Sequence, residues 1–161
     1  ALISRAVSEG RTIQETARDI RSFVGLRSDQ VLAIERFRTR LEAEGKLSAD
    51  RIARKVERYG EKLLRQRGEL IARTETLRAA NHGQLATWIQ AAEQHLIQAA
   101  EMRKKWIFTN DELACEPCLA LNGESVPLSA QFETEEFGAV DAPPLHPNCR
   151  CTLVLVRKSD E

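Results

Sequence analysis

The sequence predicts an α+β fold in which a mostly helical N-terminal body precedes a small β-hairpin module. Apolar residues recur at helical spacing through most of the first two thirds of the chain. Near Lys105 the pattern changes to short alternating runs separated by turn residues, and all five prolines lie beyond that point. We therefore divide the chain into residues 1–104, a helical body, residues 105–156, a Cys/His-rich β module, and residues 157–161, a polar tail.

The first three predicted helices begin at hydroxyl residues. Thr12 and Glu15 fit a capping box, and the helix that they open runs toward Gly25. Ser28 is the predicted N-cap of a second helix that Gly45 ends, and Ser48 opens a third. The positions predicted to face inward are Ile13, Ala17, Ile20 and Val24, then Val31, Leu32, Phe37 and Leu41, then Ile52, Val56, Tyr59, Leu63 and Leu64.

A longer helical run follows, in which three glycines predict irregularities. Gly60, Gly68 and Gly83 each cost a helix about 1 kcal/mol relative to alanine, so we expect kinks or breaks there. Asn81 and His82, which precede Gly83, are expected to break or cap the helix. Trp88 and Trp106 are expected to be core anchors.

The β module is predicted from its strand and turn signals. "KKWIFTND" reads as a strand that ends in a turn at Asn110–Asp111, and "CTLVLV" reads as a closing strand. Between them, Asn122–Gly123 predicts a type I′ hairpin. A module of roughly 50 residues commonly needs a staple besides its core.

All four cysteines and one histidine lie in this module. Cys115 and Cys118 form a Cys-x-x-Cys pair, and "HPNCRC" supplies His146, Cys149 and Cys151. Two ligand pairs that converge from distant segments complete the tetrahedron of a structural zinc site. Since such a site takes four ligands, we expect the four cysteines to bind Zn²⁺, with His146 as the alternative to Cys149 or Cys151.

Two other states of the cysteines stay open at this point. Two disulfides would form in an oxidising compartment, and four reduced thiols would be ordinary core residues. A redox-active Cys-x-x-Cys is disfavoured because no thioredoxin-like pattern surrounds it.

Composition and charge limit the classes of function. The longest apolar run, Leu153 to Val156, is far shorter than the roughly 20 residues that span a bilayer, so we expect no membrane contact. The N-terminal stretch is too charged for a secretory signal, and the chain reads as a piece of a longer one. Residues 1–105 hold 21 Lys and Arg against 14 Asp and Glu, whereas residues 106–161 hold 3 against 10.

The basic surplus suggests an acidic partner. Residues of the third predicted helix and its continuation form a basic stripe: Arg51, Arg54, Lys55, Arg58, Lys62, Arg65 and Arg67. Such a stripe can contact DNA phosphates weakly. Glu57, Glu61 and Glu69 dilute it, and a solvated helix with internal ion pairs explains it as well.

Three segments together resemble a known family. They are "LIARTETLRAANHG", "KKWIFTNDELACEPCLALNGESVPL" and "PPLHPNCRCTL". In this order they are similar to the phage head morphogenesis family, the Mu F-like minor head proteins of tailed bacteriophages, over about residues 10 to 155.

The resemblance implies a structural protein of phage or prophage capsid assembly without enzymatic activity. It implies a place inside the procapsid, in the virion and, during assembly, in the host cytoplasm. The implied partners are the portal, the major capsid protein or both. Arg73, Thr74 and Glu75 match the family's helical motif, and we expect them to be architectural, most simply through a buried or half-buried ion pair.

An enzymatic alternative belongs to a different class. Proteins that resemble this family are often fused to toxin domains, and "QFETEE" contains the Gln131-x-Glu133 and Glu133-x-Glu135 patterns of ADP-ribosyltransferases. A metal-dependent hydrolase is a further alternative if His146 belongs to a site with one open position. His82 is an alternative ligand or catalytic base. The helical N-terminal half lacks a β-rich NAD-binding scaffold, which weighs against the transferase.

Overall fold

A computed structural model describes residues 2–109 and 115–160 of the chain. Within them the α+β prediction is confirmed, because a helical N-terminal part is followed by a small module of antiparallel strands. The predicted turn at Asn110–Asp111 lies outside the described residues. None of the described helices combines the length and the apolar character that crossing a membrane requires.

Five α-helices and five strands form this part of the chain. The helices are α1 Leu2–Ser8, α2 Ile13–Arg21, α3 Ser28–Glu44, α4 Ala49–Glu93 and α5 Glu116–Ala120. The strands are β1 Met102–Ile107, β2 Ser125–Pro127, β3 Phe132–Thr134, β4 Gly138–Val140 and β5 Thr152–Arg157. Two 3₁₀ turns, Ala99–Glu101 and Lys158–Asp160, flank β1 and β5.

The capping box of α2 is confirmed. The Glu15 amide donates to Thr12 Oγ1 at 3.2 Å, and the Thr12 amide donates to Glu15 Oε2 at 2.8 Å. These two bonds satisfy N–H groups that the first turn of a helix leaves without partners. Backbone bonds to the Glu15 carboxylate from Thr12 also lower the pKa of Glu15. The helix ends at Arg21, before Gly25.

The predicted inner face of α3 is wrong in its first turns. Val31 is 46% exposed and Leu32 56% exposed, whereas Leu41 is 6% exposed and packs with Ile52 and Val56 of α4. The apolar cluster therefore forms at the C-terminal half of α3, close to its junction with α4. Gly45, whose φ is +62°, ends α3 in the left-handed conformation, as predicted.

The predicted breaks in the third helical segment are also wrong, because α4 is a single helix of 45 residues. At Gly68, close packing of α2 against α4 leaves no room for a side chain. A Cβ there would lie 3.1 Å from the Ala17 carbonyl oxygen and 2.8 Å from Arg21 Cγ, so its absence lets α2 approach α4 closely. Gly83 has no such neighbour within 4 Å. At these positions packing and cooperativity outweigh the low helix propensity of glycine.

This difference predicts opposite responses to alanine. Gly83→Ala is expected to raise the free energy of unfolding by about 0.5–1 kcal/mol, because it adds helix propensity in open space. Gly68→Ala is expected to lose that gain, because the Ala17 carbonyl must shift. Urea unfolding of the two variants beside the parent protein measures both values. A stabilised Gly68→Ala protein would contradict the close approach of α2.

The two sheets of the module are antiparallel. One has the order β2-β1-β5, with Lys104 opposite both Val126 and Leu155, and the other pairs β3 with β4. The predicted type I′ hairpin is wrong. The chain does turn at Asn122–Gly123, where the Glu124 amide bonds to the Leu121 carbonyl, but only Gly123 has a positive φ. The turn connects α5 to β2, whereas a type I′ turn needs positive φ at both central residues.

The module has its own apolar core. Trp106 and Phe132 are fully buried and meet edge to face, with ring centroids 5.2 Å apart. Leu85 and the partly buried Trp88 of α4 pack on the same cluster, so the predicted role of both tryptophans as core anchors is confirmed. Three of the four cysteines belong to this core as well: Cys118, Cys149 and Cys151.

One charged side chain is buried in the module. Lys104 is 1% exposed, its Nζ donates to the Asp141 carbonyl at 2.9 Å, and it lies 5.5 Å from the centre of the Phe132 ring. Burial lowers the pKa of Lys104, and the Asp141 charge opposes that shift. The bond and the ring contact link β1 to the segment around the β3–β4 hairpin.

The described residues group into two compact units. One is Arg11–Ala72, which contains α2, α3 and the first half of α4. The other combines Ala1–Gly10 with Arg73–Glu161, so the second half of α4 belongs with the β module. The division at residues 104 and 156 that composition suggests stays a prediction.

Candidate metal centre

The cysteines and the histidine lie on two short segments of the module. Cys115 precedes α5 as its N-cap, and Pro117 and Cys118 lie in its first turn, where the missing N–H of proline costs nothing. The second segment leads into β5 and carries His146, Cys149 and Cys151. Cys149 and Cys151 precede β5, although the predicted closing strand began at Cys151, and both cysteines are 1% exposed.

The side chains converge as two groups that share Cys118. Cys115, Cys118 and His146 form one group, and Cys118, Cys149 and Cys151 form the other; the ligand atoms within each lie within 4.8 Å of one another. His146 Nε2 lies 2.9 Å from Cys115 Sγ and 3.3 Å from Cys118 Sγ. Cys118 Sγ lies 3.7 Å from Cys149 Sγ, and all four cysteines are free thiols. The five predicted site residues are thus brought together, and they can hold a metal ion.

A backbone contact fixes the tautomer of His146. Its Nδ1 lies 2.9 Å from the Pro147 carbonyl oxygen, which carries no proton, so Nδ1–H must be the donor. The lone pair of neutral His146 then lies on Nε2, the atom that faces the two sulfurs. Metal-binding histidines are commonly oriented by such a bond to a carbonyl.

Burial and hydrogen bonding shift the pKa values of three of the thiols in different directions. The hydrogen bond from Cys151 lowers the pKa of Cys149 to about 5, despite the opposing effect of burial. Donation to Cys149, together with burial, raises the pKa of Cys151. Burial first, and the hydrogen bond with Cys115 second, raise the pKa of Cys118. Of these three thiols, only Cys149 has its pKa lowered.

A small cavity lies between these side chains. Its volume is about 20 Å³, which is room for about one ion or one water molecule, and all five metal-ligand candidates line it. Close by, the indole nitrogen of Trp106 is buried without a hydrogen-bond partner, although Trp106 still lowers the pKa of Cys151. Sulfur and imidazole ligands around one ion-sized space are the donor set of Zn²⁺.

Asn148 attaches the second segment to α4. Its amide donates to Thr74 Oγ1 at 3.0 Å, and its Oδ1 accepts from Arg73 Nη1 at 3.0 Å. Asn148 has a φ of +66°, a conformation that asparagine tolerates better than most residues. Arg73 and Thr74 therefore act on the segment between His146 and Cys149.

Within the described residues, the ion pair expected for the helical motif is made by Glu75 and not by Arg73, and it is partly exposed. Arg73 is exposed and its described partner is an amide. Glu75 pairs instead with Arg78 one turn further on, at 2.7 Å, and both side chains of that pair are at least one third exposed. The motif does contact the terminal module, through hydrogen bonds from Arg73 and Thr74.

Asn81 makes the second attachment, two turns after Thr74. Its Nδ2 donates to the Cys151 carbonyl at 3.3 Å and to the Leu77 carbonyl at 3.1 Å. Its Oδ1 accepts from the Leu153 amide at 3.2 Å and from Thr152 Oγ1 at 3.0 Å. The expectation that Asn81 breaks or caps the helix is therefore wrong, because α4 continues past it and its side chain serves β5.

The Thr74 contact predicts a modest loss of stability. Thr74→Val keeps the shape but removes the acceptor for the Asn148 amide, so we expect the free energy of unfolding to fall by about 1 kcal/mol. Urea denaturation measures it. Thr87→Val is the matched control, because Thr87 Oγ1 bonds to the Gly83 carbonyl of its own helix. Equal losses in both variants would contradict a specific role of Thr74.

Other candidates of the sequence lie apart from the cluster. His82 is exposed on α4 and belongs to neither of the described groups of metal-binding side chains. Gln131, Glu133 and Glu135 are exposed at the β3–β4 hairpin. These positions bring neither His82 nor the acidic pattern to the cysteines.

The contacts of Asn148, Thr74 and Asn81 were missed by sequence reasoning. One signal for them is available: Thr74 and Asn81 are seven residues apart, so two polar side chains recur on the same helical face. Asn148, between two ligand candidates and after a proline, is the other signal.

The fold and the site together define a small α+β protein with a Cys/His cluster that can hold a metal ion. The family model for Phage Mu protein F like protein matches residues 1–154 of the chain. The chain therefore belongs to this family, which makes it a phage head-related protein. Comparison with curated proteins and with solved structures gave no significant match.

Proposed function

We propose that this protein is a structural minor head protein that acts in phage or prophage head morphogenesis, without enzymatic activity. The family match over residues 1–154 is the observation that carries this proposal. The architecture supports it, because Thr74 and Asn81, the most buried polar side chains of α4, join that helix to the terminal segment, and the cysteines converge within the β module.

The metal of this protein is Zn²⁺ in a structural role, and its ligands are Cys115, Cys118, His146 and Cys149. Sulfurs bound to zinc at about 2.3 Å in a tetrahedron lie about 3.8 Å apart. The observed Cys118–Cys149 distance of 3.7 Å agrees with that value. His146 Nε2 contacts both Cys115 and Cys118, and Cys118 also contacts Cys149, so Cys118 links the four proposed ligands.

Cys151 then has a supporting role beside the four ligands. Its hydrogen bond keeps Cys149 ionised, as a thiolate ligand must be. Its carbonyl accepts from Asn81, which holds this end of the segment on α4. This assignment replaces the expected set of four cysteines by the alternative in which His146 takes the place of Cys151.

The absence of catalysis follows from the chemistry of such a site. Four protein ligands fill the coordination sphere of zinc and leave no position for a water nucleophile. The zinc supplies cross-linking of two segments, and the surrounding side chains orient them. Neither the transferase nor the hydrolase alternative is favoured by a specific contact of the described residues.

In this proposal the protein lies inside the procapsid, near the portal. There it contacts the portal protein, the major capsid protein or both. The basic surplus of its helical part provides a weak DNA contact in that compartment. Localisation in the host cytoplasm is limited to the time before the head is complete.

Purified heads test this proposal. Particles from the phage or induced prophage that encodes the chain are digested with protease before and after opening, and peptides of this chain are counted by mass spectrometry. We expect the peptides in intact heads, protected until opening, and cross-links to the portal. A chain that is absent from both procapsids and finished heads would overturn the proposal.

A further inference from the structure

A cleft between α2 and α4, within the unit Arg11–Ala72, has a strongly basic lining. Its volume is about 750 Å³. Five cationic side chains and one carboxylate line it: Arg18, Arg21, Arg58, Lys62, Arg65 and Glu61. A concave surface of one sign of charge focuses the electrostatic potential more strongly than a convex one.

The five cations of this cleft outnumber its one carboxylate, Glu61, and in the part of the chain that the structure describes none of them forms an ion pair with it. Among residues 2–109 and 115–160 the ion pairs join Arg5 to Glu9, Arg11 to Asp19, Arg27 to Asp29, and Arg78 to Glu75. None of the five cleft cations takes part in them. The interpretation of the basic stripe as a helix with internal ion pairs is therefore not supported for this part of α4.

The packing of the two helices builds the cleft. Gly68 allows the backbone of α2 to approach α4, and Arg21 Cγ lies over the position where a Cβ of Gly68 would be. Arg18 lies one turn before Arg21 on the same helix. Arg58, Lys62 and Arg65 follow one another at helical spacing on α4 and span about 10 Å along its axis. Two helices thus present cations to one space.

We propose that this cleft binds the phosphate backbone of duplex DNA without sequence preference. It deepens the proposed function, since it gives the weak DNA contact a defined site. Duplex DNA carries one negative charge per about 1.7 Å of axis, a dense row of phosphates that a row of cations can contact. The lining contains no aromatic ring on which an unpaired base would stack, which favours a duplex over a single strand.

Fluorescence anisotropy with a labelled 20-base-pair duplex tests this site at several salt concentrations. In the cleft variant, Arg58, Lys62 and Arg65 are each replaced by glutamine. We expect at least about a tenfold loss of affinity at low salt and a fall in the salt slope of about one for each cation that contacts a phosphate. Glu61→Gln is expected to strengthen binding.

The matched control lies on the same helix. Arg51, Arg54 and Lys55 are exposed and lie outside the cleft, so replacing all three by glutamine removes the same charge. We expect this variant to retain affinity within about threefold. Equal losses of DNA affinity in the two triple variants would overturn the proposed binding site, because overall charge alone would then explain binding. Tighter binding to single-stranded DNA or to RNA would overturn the choice of partner.

No binding of the parent protein to duplex DNA at low salt would also overturn the inference. Metal content and circular dichroism of the cleft variant show whether its fold is intact. Protection of the chain from protease in purified heads is measured separately. A failure of DNA binding can therefore be distinguished from a failure of the proposed head function.

Discussion

Withdrawal of zinc by a chelator is expected to lower the free energy of unfolding by at least about 4 kcal/mol, because a metal at 1,000 times its dissociation constant contributes that much. Where a metal joins two segments of a small module, binding energy is folding energy. Thermal and urea unfolding of reduced, metal-loaded protein, before and after chelation and after zinc is restored, measure the loss and its reversal.

Single substitutions separate the ligand sets. Cys118→Ser is expected to abolish stoichiometric zinc, because Cys118 belongs to both groups of converging side chains. Cys151→Ser is the matched control, because Cys151 is as buried as Cys149. This variant is expected to keep zinc bound, with lower affinity. His146→Asn is expected to lose the metal.

Elemental analysis together with a thiol count reads out these variants. Loss of zinc in Cys151→Ser but not in His146→Asn would replace the assigned ligands by the four cysteines. A metal-free parent protein with four reactive thiols would contradict the metal site altogether.

Asn81→Leu is expected to be the most destabilising substitution on α4, by about 2 to 4 kcal/mol. It leaves the Leu153 amide and the Cys151 carbonyl buried without partners, and each such group costs about 1–3 kcal/mol. Urea denaturation measures the change, and zinc affinity in competition with a colorimetric chelator is expected to fall with it.

The control for Asn81 is Gln84→Leu, an exposed position one turn further along α4. It is expected to change the free energy of unfolding by less than about 0.5 kcal/mol. If Asn81→Leu were as harmless as this control, the hydrogen bonds between α4 and β5 would have no energetic importance.

Local patterns were sufficient for much of the fold. The capping box at Thr12, the glycine end of α3 at Gly45, and the strands β1 and β5 depend on a few neighbouring residues, and all were predicted. The convergence of the five metal-ligand candidates was predicted as well, because ligand spacing is a local signal.

The predictions from sequence were wrong where the local structure depends on a residue that is distant in the chain. Gly68 lies within an intact helix because α2 packs against it, and nothing near Gly68 in the sequence indicates that neighbour. Val31 and Leu32 have the right spacing for an inner face, but the cluster around Leu41 forms elsewhere on the helix. Asn122–Gly123 has the composition of a hairpin turn, yet a helix precedes it.

The hydrogen bonds that attach α4 to the terminal segment also predict an order of folding events. These bonds join residues that are 70 to 75 positions apart in the chain, whereas Cys118 and Cys149 of the two ligand segments are 31 positions apart. Helix formation takes place in about a microsecond, and closing a long loop between unformed ends is slower and entropically unfavourable. Thr74 and Asn81 present their side chains on one face only after α4 has formed. We therefore expect the terminal segment to dock late, onto a helix that is already complete. Truncation within α4 is then expected to slow the refolding of the module, although the module's own residues are unchanged.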